Sequence, residues 1–216
     1  MNNTTFDPAC RQCPRLASYL TEIKDHYPGY HAQPVPPFGD PDPDLLIVGL
    51  APGLHGANAT GRPFTGDFAG ILLCNTLFKF GFSNKDTSIS RSDGLQLKGC
   101  RITNAVKCLP PRNKPAPDEI TMCNHYLRNE ISALRPGTVI LALGIIAHNA
   151  VLKALEVKLK SCKFAHGAEH VLADGRLLID SYHCSRYNTQ TRRLTETMFS
   201  AVFKRICQLI NDRDEH

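Results

Sequence analysis

Four cysteines, at 10, 13, 108 and 123, are the residues in this chain whose type and spacing point most directly to chemistry. Cys10-Arg-Gln-Cys13-Pro14 is a C-x2-C pair, and Cys108 and Cys123 form a second, wider pair flanked by prolines at 110, 111, 115 and 117. Four thiolates suit either Zn2+ or an iron-sulfur cluster. The wide second spacing fits a zinc ribbon poorly, and a lone C-x2-C reads equally well as two ordinary buried thiols. The other cysteines, at 74, 100, 162, 184 and 207, have no ligand spacing and read as packing residues.

Three further segments carry candidate groups. Gly49-Leu-Ala51-Pro-Gly53-Leu-His-Gly56 is a glycine-rich turn suited to close approach of backbone to a ligand, or simply to a tight strand-to-helix connection. It is neither G-x-G-x-x-G nor a Walker loop. Arg62-Pro-Phe64-Thr-Gly-Asp67 brings a ring and a carboxylate close to that turn. Phe64 can stack on a flat ligand, and Asp67 can position water or cap the helix that follows. Ser181-Tyr-His183-Cys-Ser185-Arg186-Tyr187-Asn188 runs on to Arg192 and Arg193, so hydroxyls, arginines and helix-start amides form a grip for phosphate. His183 alone reads as a structural histidine; its neighbours argue for more.

These segments need elements to position them. Residues 45–50, 101–106, 138–143 and 177–181 are apolar, rich in β-branched residues and bounded by turn residues, which predicts four buried parallel strands. Helical patterns cover about 14–26, 70–80, 117–134, 145–155 and 189–210, with Asp118 and Thr195 near helix starts. The alternation predicts a three-layer α/β/α sandwich around a mainly parallel four-stranded sheet. Residues 27–42 and 83–99 read as loop excursions, and 1–216 as a single domain. The segments at 49–53, 104–108, 144 and 181–183 follow the C-terminal ends of the strands, the edge at which open α/β sheets bind ligands.

Composition sets the remaining bounds. Hydrophobic residues at 42% and charged residues at 21% belong to a folded globular chain. A net charge of +5 permits a polyanionic partner without requiring one. Nine cysteines are many for a compartment in which disulfides are rare, which favours metal ligation. Residues 1–10 lack the basic flank and apolar run of a leader, and the apolar stretch at 139–152 is shorter than the roughly 20 residues a bilayer needs. A cytoplasmic protein with no membrane partner is expected.

Taken in order, G-L-A-P-G, R-P-F-T-G-D, I-T-N-A-V-K-C, L-A-L-G and S-Y-H-x-S-R-x-N-T resemble the family 5, broad-specificity uracil-DNA glycosylases, from Cys10 to about Thr195. The resemblance implies a [4Fe-4S] cluster on Cys10, Cys13, Cys108 and Cys123. It also implies removal of uracil, and of other deaminated bases such as hypoxanthine or xanthine, from DNA by a monomeric enzyme of base excision repair. The base is flipped out of the helix, Gly49, Ala51 and Phe64 lie against it, and Asn104 bonds its Watson–Crick edge. His183 stabilises the departing base, and Asp67 orients water or stabilises the sugar cation, because Ala51 stands where the classical uracil glycosylases carry a catalytic Asp. Ser185, Arg186, Tyr187, Asn188 and Arg192 hold the DNA, with Tyr187 as the wedge that fills the gap.

Two positions depart from the family pattern. Cys184 replaces the proline that usually follows the histidine, which removes a backbone constraint from the His183 loop, and Ala59 stands where members often carry Arg. A non-catalytic nucleic-acid binder clipped by zinc is the competing class, and it leaves Phe64, Asp67 and His183 without purpose. A zinc nucleobase deaminase would need H-x-E and P-C-x-x-C, and neither occurs.

Overall fold

The computed structural model describes residues 6–214; residues 1–5, which belong to the segment read above for a leader, and residues 215–216 lie outside the described residues. Seven α-helices and six strands follow one another as α1 (Pro14–His26), β1 (Phe38–Gly39), β2 (Leu45–Gly49), α2 (Ala57–Thr60), α3 (Phe68–Lys79), β3 (Cys100–Asn104), α4 (Pro117–Ser132), β4 (Val139–Leu143), α5 (Ile145–Ala154), β5 (Glu169–Val171), β6 (Leu177–Ser181), α6 (Arg186–Gln190) and α7 (Glu196–Asp214). Among the described residues no helix is long and apolar enough to cross a membrane.

The sheet order is β1-β3-β2-β4-β6-β5. β3, β2, β4 and β6 are parallel, and their ladders bring Gly49 level with Asn104 and Leu143 level with Ser181. The four expected strands are therefore the centre of the sheet. Two short antiparallel strands, β1 and β5, extend the expected four-stranded sheet to six. The ladder also runs one step beyond β2 and β3, through Ala105 N–H to the Gly49 carbonyl and Val106 N–H to the Leu50 carbonyl, which is why the apolar runs at 45–50 and 101–106 read longer than the strands.

Alternation along the central strands builds the three layers. Leu45 and Ile47 face one side with Leu73 and Leu77 of α3 and Phe199, Phe203 and Ile206 of α7. Leu46 and Val48 face the other with Leu127 and Ile131 of α4 and Ala147, Val151 and Leu152 of α5. Each fully buried Leu, Ile or Val contributes roughly 1.5–3 kcal/mol relative to exposure. The helix expected at 189–210 is two helices. Arg192 takes a left-handed φ of 56°, Leu194 N–H turns back to the Asn188 carbonyl, and Thr195 Oγ1 accepts the Met198 N–H to start α7. A core position at Leu194, 1% exposed, favours that break over one continuous helix.

The excursion at 83–99 is anchored by a buried arginine. Arg62, 3% exposed, donates from Nη1 and Nη2 to the two carboxylate oxygens of Asp93 at 3.0 and 2.6 Å. Its remaining donors reach Ser88 Oγ at 2.7 Å and Thr65 Oγ1 at 2.8 Å. Burial pushes the Asp93 carboxyl up, but Arg62 and the N–H groups of Leu95, Ile89 and Ser90 outweigh it and hold the group well below the usual carboxylate range. Removing one partner of a buried pair strands the other charge. Arg62→Ala should therefore lower unfolding stability by about 3–5 kcal/mol in urea titrations, with protease cleavage starting inside residues 83–99; Arg62→Lys, which lacks the fork, should not restore it.

Candidate active site

The register of β2 with β3 puts the first two site residues side by side. Gly49 is a glycine for space: a Cβ there would lie 2.4 Å from Asn104 Oδ1 and 2.7 Å from Phe64 Cε2. Asn104 and Phe64 therefore converge over the Gly49 backbone, both nearly sealed, at 3% and 6% exposed. The Asn104 amide has no hydrogen-bond partner among the described residues. Phe64 adopts φ 51°, so its ring is held in place by a turn that few residues besides glycine enter without strain.

Asp67 ends that turn and does two things at once. Its Oδ1 accepts the Gly70 N–H at 2.9 Å and caps α3, so the capping reading holds. Its Oδ2 faces the glycine turn, 2.4 Å from where a Gly56 Cβ would stand and 3.4 Å from that of Gly53. Burial pushes the Asp67 carboxyl up, against the pull of the Gly70 and Ala69 N–H groups.

His183 closes the group from β6. Its ring lies 5.9 Å from that of Phe64, 29° from parallel, and Gly144 at the end of β4 backs onto it. Burial pulls its pKa down to about 4, so the imidazole is neutral near pH 7 and presents one N–H donor and one acceptor. The loop is held despite the missing proline. Cys184 is fully buried in the core, Asn188 Nδ2 donates to the His183 carbonyl at 2.8 Å, and Ser185 Oγ accepts the Asn188 N–H to cap α6.

The remaining candidates are scattered around this centre. Tyr187 is 70% exposed, the Arg186 guanidinium sits 5.8 Å from the Phe68 ring centroid, and Arg192 is exposed on the turn between α6 and α7. Ala51 points elsewhere: its methyl packs with Leu16, Val106 and the cysteines.

Cys10, Cys13, Cys108 and Cys123 line one small cavity with Lys107 and Tyr126. Cys13 precedes α1, Cys108 follows β3 and Cys123 lies on α4. Burial raises the Cys13 and Cys108 thiols, and the charges of Cys123 and Cys10 across the cavity push both further up. Among the described residues only His148, His170 and Asp180 place three ligand atoms within 4.8 Å of one another. The four cysteines thus offer their thiols to one cavity, a donor set that Zn2+ or an iron-sulfur cluster takes.

A model of the uracil DNA glycosylase superfamily matches residues 36–207. The chain belongs to the uracil-DNA glycosylase superfamily. It is 46% identical to the type-5 uracil-DNA glycosylase of Thermus thermophilus, over 90% of this chain and 90% of that one. It is 44% identical to the type-5 enzyme of Pyrobaculum aerophilum, over 91% of this chain and 87% of that one. Identity to the type-4 uracil-DNA glycosylase of Saccharolobus solfataricus is 31%, over 78% of this chain and 74% of the other.

Several groups in this superfamily member were not singled out from sequence. Asp93 is 31 positions from Arg62, with nothing local to reveal the pairing. Lys107 Nζ is buried against Glu130 Oε1 at 2.7 Å and Thr103; a lysine between Val106 and Cys108 in an apolar run was the visible signal. Asp180 holds His148 at 2.7 Å and His170 at 3.2 Å, a brace on β6 just before His183. The neutral state of His183 is directly measurable. Its imidazole Cε1 proton, assigned by loss of one signal in His183→Gln, should titrate near pH 4 in NMR spectra of the folded protein, whereas a midpoint above pH 6 would mean the ring is solvated and charged at working pH.

Proposed function

We infer that this chain removes uracil from DNA by hydrolysing the N-glycosyl bond, and we propose that it also accepts other deaminated bases, hypoxanthine or xanthine among them, in base excision repair. The observation that carries the reading is the convergence of Asn104, Phe64, His183 and Asp67 on the glycine turn of a superfamily member. Nine unpaired thiols support a reducing, cytoplasmic setting.

The mechanism follows from what each group can do. A base in a duplex is out of reach, so the nucleotide is extruded at a cost of a few kcal/mol; exposed Tyr187 fills the gap, while Ser185, Arg186, Asn188 and Arg192 engage the backbone. Phe64 stacks on the base, against the Gly49–Ala51 backbone. The free Asn104 amide supplies a donor and an acceptor together, matching uracil O4 and N3–H. Cleavage proceeds through an oxocarbenium-like sugar and leaves negative charge on the base. His183, neutral and desolvated, donates to that charge as it develops. Asp67, its Oδ1 committed to the helix cap, uses Oδ2 to orient water or to stabilise the sugar cation.

Cys10, Cys13, Cys108 and Cys123 would hold a [4Fe-4S] cluster, which when bound crosslinks the start of α1 to α4 and the end of β3. The hydrolysis itself moves no electrons. A zinc clip in a non-catalytic binder leaves Phe64, Asp67 and His183 without a role. Iron and acid-labile sulfide should accompany anaerobically purified protein, and zinc in their place would overturn the assignment. Cys108→Ala should reduce folded yield before it reduces turnover, since cluster binding is folding free energy.

Incubation with uracil-, hypoxanthine- and xanthine-containing oligonucleotides, followed by alkali, tests activity and range together. Within that assay Asp67→Asn separates charge from capping, because Asn caps a helix about as well as Asp. The variant should fold normally and cleave uracil about 10² times slower or more; wild-type rates would reduce Asp67 to a cap.

A further inference from the structure

Tyr27, Tyr30 and His55 form an aromatic group outside the pocket. The two tyrosine rings stack with centroids 4.6 Å apart and planes 13° apart. The His55 ring meets both edge-on, at 5.8 and 6.0 Å, and Tyr30 Oη lies 2.8 Å from His55 Nδ1 in a hydrogen bond. Lys24 Nζ donates to the Tyr30 carbonyl at 2.6 Å. The group is therefore rigid, with Tyr30 packed on the small apolar cluster of Leu20, Ile23, Ala32 and Leu109, while Tyr27 is 38% exposed, His55 is exposed, and no other described ring lies against Tyr27.

Its position relates it to the site. His55 sits in the glycine turn between Gly53 and Gly56, the two residues that face Asp67 Oδ2. The stack thus starts at the rim of the pocket, on a segment separate from the loop that carries the exposed Tyr187. Lys24 also lines, with Arg11 and Asp25, a groove of about 450 Å3 beside α1, so two cationic side chains and one carboxylate adjoin the stack. Rigid aromatics next to cations are what a sequence-tolerant subsite for single-stranded nucleic acid requires, since every base has a π-face and every linkage a phosphate.

We propose that the exposed face of Tyr27, backed by Tyr30 and His55, is a stacking subsite for an unpaired base flanking the extruded nucleotide on the same DNA strand, with Lys24 beside it for the phosphate. The subsite rests on the reading of the pocket as the place the extruded nucleotide enters. It gives the enzyme a hold on single-stranded DNA that does not depend on a complementary strand. Tyr30 acts through Tyr27, as the ring that keeps it flat and in place.

The test uses single-stranded oligonucleotides carrying uracil, with 2-aminopurine placed in turn at successive positions on either side. The wild-type protein should quench 2-aminopurine at one flanking position on binding. Tyr27→Ala should abolish that quench and raise Kd and KM about tenfold, with the single-turnover rate at saturating protein within about twofold of wild type. Tyr27→Phe, which keeps the ring, should behave as wild type. Tyr30→Phe, which breaks only the bond to His55, should weaken the quench and gives a second variant should Tyr27→Ala fold poorly in urea titrations. Equal 2-aminopurine signals and equal Kd in wild type and Tyr27→Ala would overturn the subsite. A lowered saturating rate at unchanged Kd would overturn it too, since the stack would then merely brace the glycine turn. Uracil release by wild type in the same tubes reports on the pocket separately, so failure of the subsite and failure of the glycosylase reading are distinguishable.

Discussion

The site depends on one buried charge. Arg62 would be costly to desolvate by itself, and the fold meets that cost by bringing Asp93 from the 83–99 excursion into a two-pronged pair with it, with Ser88 and Thr65 taking the remaining donors. Thr65 is the residue after Phe64, so the network holds the left-handed turn that Phe64 occupies. From that turn follow the placement of the Phe64 ring over Gly49 and the start of α3 at Asp67. A polar network buried this way is either fully satisfied or damaging. Satisfied, it turns a surface excursion into a rigid support for a stacking face.

The two titratable groups of the pocket are set differently by the same burial. The His183 imidazole loses its charge, because desolvation acts on it alone. The Asp67 carboxyl is also pushed toward its neutral form, but two backbone N–H groups at the start of α3 favour its ionised form. On the proposed reading, a neutral donor at His183 and a helix-capped acid at Asp67 would match the direction in which charge separates when a glycosidic bond breaks. The cap matters here for more than helix stability: it fixes Oδ1 and so fixes where Oδ2 lies.

What the sequence reveals and what it hides divide along physical lines. The central strands were legible because both faces are buried, which makes the runs at 45–50 and 138–143 uniformly apolar. The edge strands β1 and β5 were not, since two or three residues carry no periodicity. Gly49, Phe64, Asn104 and His183 could be named as a group because four parallel strands must end on one edge. The dual contact of Asp67 could not, because capping and catalysis ask for the same residue type at the same place. Asp93 and Asp180 were invisible for a different reason: their partners, Arg62, His148 and His170, lie 10 to 32 positions away, and no local pattern marks a long-range hydrogen bond. The break between α6 and α7 was missed because Leu194 is apolar at a spacing that also suits a continuous helix.

The position of α1 gives the cysteine cavity its structural meaning. The helix lies outside the three layers and meets the body through two small apolar groups, Leu16 with Val106 and Tyr126, and Leu20 and Ile23 with Ala32 and Leu109, plus the Arg15–Glu119 pair at 2.7 Å. That pair is two-pronged, with Glu119 buried and Arg15 half exposed, and Leu16, Leu20 and Ile23 are the buried side chains of this 13-residue helix. Cys10 and Cys13 stand at its start, and Cys108 and Cys123 on the body. A shared centre among these thiols would act at the junction of α1 with the body. Val106 and Lys107 lie between Asn104 and Cys108, with Lys107 buried against Glu130. A centre shared by these thiols would therefore tie down the far end of the stretch that carries Asn104 as well as the start of α1, linking the metal-ligand pattern of the sequence to the geometry of the pocket without any part in the chemistry.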